Sequence, residues 1–199
     1  MKCNSCPRKC NIDRTEKTGV CGVPSEYRIA RAALHFWEEP CISGTKGSGT
    51  VFFSGCNMKC VFCQNYEISS GCFGKEITTD RLCEIYKELI DSGVHNINLV
   101  TPTHYAEKIL ESLETPLSVP VVYNSSGYDS VDTLKKFDGK IQIYLPDMKY
   151  MDSALAKKYS LAPDYPERQK KQSVKCTGRQ VKLFLMTTVL CRKVLLSVI

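Results

Sequence analysis

The sequence predicts an α/β chain: a partial parallel (β/α) barrel of about four strand–helix units, preceded by a Cys-rich N-terminal segment. Three observations predict it. From Thr50 onward, short β-branched runs alternate with amphipathic segments, as parallel βαβ units require. A polar cluster follows each run. Residues 1–48 hold four closely spaced cysteines, a basic helix-like patch around Arg28 to His35 and a loop bearing Gly44, Gly47 and Gly49, the pattern of a ligand-held appendage.

The first strand is Thr50 to Phe53. A long loop leads from it to a helix starting near Thr79, where Leu82, Ile85, Tyr86, Leu89 and Ile90 fall on one face and Gly93 supplies the stop. The second strand is Ile97 to Val100, with a helix over Tyr105 to Leu113. The third is Val119 to Tyr123, before a helix carrying Val131, Leu134 and Phe137. The fourth is Ile141 to Leu145, before a helix over Ser153 to Tyr159. Crossovers of this length make the strands parallel, so their carboxyl ends share one rim, where parallel barrels carry their sites. On that rim stand Ser54-Gly55-Cys56, Thr101-Pro102-Thr103-His104, Asn124-Ser125-Ser126-Gly127 and Asp147-Met148-Lys149. Ser, Thr, Asn and Asp also serve as ordinary turn and cap residues, so each cluster taken alone is ambiguous.

Composition narrows the chemistry. Twelve of the 199 residues are cysteine, and Met1-Lys-Cys-Asn-Ser-Cys6 has no apolar run of the secretory kind. The expectation is a cytoplasmic chain with reduced thiols, in which close cysteines are metal or iron–sulfur ligands before they are disulfides. The longest apolar run, Leu183 to Cys191, is too short to span a bilayer. The net charge of +6 does not point to a nucleic-acid partner, because it sits at one end: residues 168–199 contain eight Lys and Arg and no acid. The expected organisation is a metal-binding segment over 1–48, an incomplete core over 49–167 and an atypical basic tail over 168–199. The tail shows no helical period, and a shifted reading frame near codon 168 would explain it.

The chemistry concentrates in Cys56-Asn-Met-Lys-Cys60-Val-Phe-Cys63, a C-x3-C-x2-C run on the loop leaving the first strand. Three thiolates in eight residues can take three corners of a cubane that ordinarily needs four, leaving one iron open. A structural zinc site closes its tetrahedron and prefers paired C-x2-C spacing. With Phe62 before the last cysteine, the run resembles the radical S-adenosylmethionine (radical SAM) enzymes. Cys3-Asn-Ser-Cys6-Pro-Arg-Lys-Cys10, Gly19-Val-Cys21-Gly22, the segment from Gly47 to Cys56, the segment from Tyr123 to Tyr128 and Leu145-Pro-Asp-Met-Lys149 are similar to homologues of pyruvate formate-lyase activating enzyme, over Met1 to about Glu167.

The resemblance implies that Cys56, Cys60 and Cys63 hold a [4Fe-4S] cluster whose open iron binds S-adenosyl-L-methionine. It further implies reductive cleavage of that cofactor to a 5′-deoxyadenosyl radical. A glycyl-radical-type protein substrate and a flavodoxin or ferredoxin reductant are the implied partners, with no nucleic acid and no membrane. Asp147 and Lys149, two apart on an extended segment, share a face and are expected at the charged ends of the methionine moiety. Asn124, Ser125 and Gln64 are the other expected cofactor contacts. Thr101 to His104 stands where many relatives carry a Gly-Gly-Glu segment that holds the substrate amine.

Cys3, Cys6, Cys10 and Cys21 satisfy the ligand count for a second metal site, and their spacing leaves zinc and an iron–sulfur cluster equally open. Cys83 is expected in the core; Cys41 or Cys72 is expected near the cluster loop. Two other classes stay open: a zinc-binding interaction or nucleic-acid module, and an inactive truncated product.

Overall fold

A computed structural model describes residues 2–177 of the chain. Among them, strand β1 (Tyr27–His35) is followed by a single helical turn, α1 (Pro40–Ser43), and by β2 (Ser48–Phe53). The cluster loop and a second short turn, α2 (Tyr66–Ser69), lead to β3 (Lys75–Ile77) and the long helix α3 (Thr79–Asp91). Then come β4 (Ile97–Val100), α4 (Ala106–Ser112), β5 (Val121–Ser125), α5 (Val131–Lys136), β6 (Ile143–Pro146), α6 (Ser153–Ser160) and α7 (Tyr165–Thr177).

One six-stranded sheet runs β3-β1-β2-β4-β5-β6. Four strands, β2, β4, β5 and β6, are parallel, with Val51 opposite Leu99, Leu99 opposite Tyr123 and Tyr123 opposite Tyr144. The expected α/β class and its four strand–helix units are therefore present, with strand ends displaced by two residues at most. The sheet as a whole is mixed, because β1 pairs antiparallel with both β2 and β3.

That pairing corrects the helix-like reading of Arg28 to His35. The alanines there favour a helix locally, but the segment lies between two strands and its backbone groups are satisfied by the ladder, an instance of tertiary context outweighing propensity. Tyr27 and Ile29 face the core. β3, three residues long, offers no period to read. The absence of helical period after Arg168 is also corrected in part: α7 starts before the change in composition and continues through it to Thr177, with Gln169 and Gln172 buried. The remainder of the basic tail, 178–199, lies outside the described residues.

α3 has the predicted face. Leu82, Ile85, Tyr86 and Leu89 are buried, Thr78 Oγ1 accepts the backbone N–H of Arg81 at 3.2 Å, and Gly93 takes φ 86° beyond the end. Its apolar face meets Val51, Phe53, Ile97, Leu99, Val121 and Tyr123 from one face of the sheet. The opposite face carries Val122, Ile143 and Leu145 against Ile42. Parallel β2, β4, β5 and β6 thus send four loops to one end of the molecule. No helix among the described residues is long and apolar enough to cross a membrane.

Candidate metal centre

The cluster loop is bent into place at once on leaving β2. Ser54 is buried, its N–H donating to Arg28 O at 2.7 Å and its hydroxyl to Phe73 O at 2.5 Å. Gly55 turns the chain with φ 81°, and a Cβ there would stand 2.7 Å from Cys21 O. Only glycine fits both requirements. Cys56 N–H then donates to Cys21 O at 3.2 Å, fastening the first cysteine of the loop to the N-terminal segment.

The far side of the loop is fastened to the end of α6. Lys59 N–H donates to Ser160 O at 3.2 Å and Val61 N–H to Tyr159 O at 2.9 Å. Arg8 bridges both: its Nε donates to Asn57 O at 2.7 Å, its other nitrogens reach Ser160 O and Leu161 O, and its guanidinium covers the Tyr128 ring at 5.2 Å. Beneath lies a separate apolar cluster of Met58, Tyr128, Tyr150, Ala156, Ala162 and Tyr165, on which Cys56 and Cys60 pack.

Each thiol of the triplet has a polar neighbour. Met58 N–H points at Cys56 Sγ from 3.4 Å, the Ser160 hydroxyl donates to Cys60 Sγ at 2.9 Å, and Ser69 Oγ stands 3.2 Å from Cys63 Sγ. Tyr150 OH stands 2.6 Å from Ser160 Oγ, extending a chain of hydroxyls toward Cys60. The three sulfurs are close enough to act on one another's charge. Burial, the largest cause, pushes the Cys56 thiol up to about 12 and raises that of Cys60, so a metal must displace protons on binding.

Three cysteine thiols at this spacing are the donor type of an iron–sulfur cluster. The protic groups at the three sulfurs are the kind of partner that accompanies cluster ligands.

Asp147 and Lys149 follow β6 and join this end of the molecule as an ion pair at 2.5 Å. Burial opposes the charge on Lys149, but Asp147 and the thiols of Cys60 and Cys56 hold its pKa above the ordinary value. Phe62 is exposed beside them, its ring 6.3 Å from that of Tyr150. Gln64 is exposed on the same loop. Asn124 donates its amide to Glu38 at 2.9 Å, in company with Asn98 at the same distance, on the sheet face opposite α3. Ser125 is buried, its hydroxyl donating to Asp129 at 2.6 Å.

The N-terminal ligand candidates also come together. Cys6 and Cys21 are buried, and the thiols of Cys3, Cys21 and Cys10 all act on the charge of Cys6. Cys72 lies beside them, 3.8 Å from Cys21 O, and Cys41 packs against Ile42 and its neighbours. None of the ten cysteines among the described residues whose side chains are placed is in a disulfide.

The sequence reading missed Ser160, Tyr150, Arg8 and Asp129. The first two lie about a hundred residues beyond the cysteines they serve, and Arg8 acts through backbone carbonyls, so no spacing announces them. Asp129 accepts from Thr103, Tyr123, Ser125 and Gln172 while 1% exposed, tying together the loops after β4 and β5 and helix α7. Its one local signal is a carboxylate among hydroxyl-bearing residues.

Comparison with known proteins gives the family. Over 172 residues the chain is 32% identical to an uncharacterized protein of Methanocaldococcus jannaschii, a match covering 82% of this chain and 50% of the other. The chain thus spans about half the length of that relative. Residues 43–143, which contain the whole cysteine triplet, match the model of the 4Fe-4S single cluster domain, and the chain belongs to that family.

Proposed function

We propose that the protein is a radical SAM enzyme in which Cys56, Cys60 and Cys63 hold a [4Fe-4S] cluster with one iron free for S-adenosyl-L-methionine. The observation that carries this reading is the placement of three mutually close thiols, those of Cys56, Cys60 and Cys63, on the loop leaving β2 at the carboxyl end of four parallel strands. We read those strands as part of a barrel wall. When bound, the cluster supplies the electron that cleaves the sulfonium cofactor to methionine and a 5′-deoxyadenosyl radical.

The chain's own residues supply position and electrostatics. Lys149 and Asp147 flank Cys60 and present one cation and one carboxylate, which answer the carboxylate and ammonium of a methionine moiety once their own ion pair opens. Phe62 and Tyr150 give apolar cover beside them. Asn124, tied to Glu38, and Gln64, on the exposed part of the cluster loop, extend the contact surface. Ser125 acts from below, holding the loop after β5 through Asp129. A glycyl-radical-type protein remains the proposed substrate, a flavodoxin or ferredoxin the proposed reductant, and a reducing cytoplasm the proposed setting.

Anaerobic reconstitution with iron and sulfide tests the reading. The reduced protein should show a [4Fe-4S] electron paramagnetic resonance signal that changes on adding S-adenosyl-L-methionine, and Cys56→Ala, Cys60→Ala or Cys63→Ala should abolish that responsive signal. Zinc bound by this trio, or iron content indifferent to all three substitutions, would refute it.

A further inference from the structure

We propose that Cys3, Cys6, Cys10 and Cys21 hold a second iron–sulfur cluster, fully ligated by protein and seated directly against the cluster loop. The assignment of the site stands on its own residues. The role given to it below rests on the reading of Cys56, Cys60 and Cys63 above.

The N-terminal segment is built as a ligand loop. Cys3 N–H donates to Ile12 O at 2.8 Å and Asn11 N–H donates back to Cys3 O at 3.0 Å, so residues 3–12 close on themselves. Within that loop Lys9 N–H caps Cys6 O at 3.1 Å, and both Lys9 and Asn11 hold positive φ, at 43° and 53°, on either side of Cys10. Non-glycine residues pay for that conformation, which here turns Cys10 back toward the fourth cysteine. The fourth arrives on a tight turn, Gly22 N–H to Gly19 O at 2.9 Å, and a Cβ at Gly19 would stand 3.0 Å from Cys10 Sγ. The closed loop 3–12 and the turn at Gly19–Gly22 thus bring four thiols together, two of them buried.

Two observations support a cluster. All four donors are cysteine thiols, the donor type of a protein-ligated cubane, and the thiols of Cys3, Cys10 and Cys21 all lie close enough to act on Cys6. The set also adjoins the loop of a 4Fe-4S single cluster domain, matched over residues 43–143. The difference between the two sites is the fourth thiolate. Cys21 gives the N-terminal set a fourth thiol, whereas the run Cys56-x3-Cys60-x2-Cys63 has three.

The two sites share structure. Cys21, a ligand of one, accepts the backbone N–H of Cys56, a ligand of the other, at 3.2 Å. Arg8, lying between Cys6 and Cys10, donates to Asn57 O, between Cys56 and Cys60. A second cluster here takes one electron from an external flavodoxin- or ferredoxin-type donor and passes that electron to the first cluster, returning to its oxidised state.

The full chain, reconstituted anaerobically, should contain about eight irons and no stoichiometric zinc. After reduction its paramagnetic resonance spectrum should show broadening from two interacting spins. Cys6→Ser/Cys10→Ser should lose about half the iron and the broadening while keeping the signal that responds to S-adenosyl-L-methionine. The triple variant Cys56→Ala/Cys60→Ala/Cys63→Ala should also keep about half the iron, with a signal indifferent to that cofactor. About four irons in the unmodified chain, all accounted for by the signal that responds to S-adenosyl-L-methionine, overturn the proposal, with or without a zinc, and this measurement does not depend on any variant folding. Complete loss of iron from the triple variant overturns it too and leaves the first site standing. Full iron retained in the triple variant refutes the first site instead, and the double variant then still decides the second.

Discussion

A single hydroxyl, that of Ser160, donates to Cys60 Sγ at 2.9 Å and is itself backed by Tyr150 OH at 2.6 Å. Hydrogen bonds to cluster sulfurs stabilise the more negative, reduced state and so raise the reduction potential. Ser160→Ala should therefore lower the potential of the cluster at Cys56, Cys60 and Cys63 by on the order of tens of millivolts, and Tyr150→Phe by less. A redox titration followed by paramagnetic resonance measures this. An unchanged or higher potential in Ser160→Ala would show that the hydroxyl does not act on the cluster. Neither residue sits in a recognisable pattern, whereas the cysteines they serve are legible from spacing alone.

At the scale of elements, α6 sets where that hydroxyl stands. Its N-terminus is capped by Asp152, whose carboxylate accepts Leu155 N–H at 2.8 Å, and its last residue is Ser160. Asp152→Ala should cost about 1 kcal/mol of stability, visible as a lowered denaturation midpoint, and should speed loss of iron to a chelator because the fraying helix releases Lys59 and Val61 of the cluster loop. Chelation at the parental rate would separate the helix from the loop. The helices α3, α4 and α6 were readable because each carries apolar residues at helical spacing or a capping residue at its start. β1 was not, since its alanines and arginines favour a helix and only the neighbouring strands make extended backbone the better choice.

For the whole molecule, His104 joins three parts. Its Nε2 donates to Ser54 O at 2.8 Å where the cluster loop begins, its carbonyl accepts from Arg14 of the N-terminal segment, and its ring lies 4.4 Å from that of Tyr105. Complete burial pushes its pKa down to about 3 from 6.5. A depressed histidine pKa means that the unfolded chain binds the proton first. Its contribution to stability is thus intact above pH 6.5 and is lost as pH falls from there toward 3. Denaturant unfolding between pH 7 and 5 should show stability falling by at most ~1.4 kcal/mol per pH unit from this residue. His104→Gln, which keeps a donor for Ser54 O without the titration, should flatten that dependence. An identical slope in the variant would assign the acid sensitivity elsewhere.

The sequence by itself determined the two groups of closely spaced cysteines, the four parallel strands and the helices between them. All of these are written in short-range spacing: thiols within eight residues, apolar positions at a helical or strand period. Only the tertiary structure decided that Tyr27–His35 is a strand, that α7 runs on past Arg168, that Ser125 and Thr103 hold Asp129 rather than stand open, and that the two groups of cysteines meet. Those outcomes depend on contacts between residues tens to more than a hundred positions apart, such as Arg8 with Ser160 or Cys21 with Cys56. Contacts of that range leave no local period, because their energy is realised only once the sheet has brought its loops to one end.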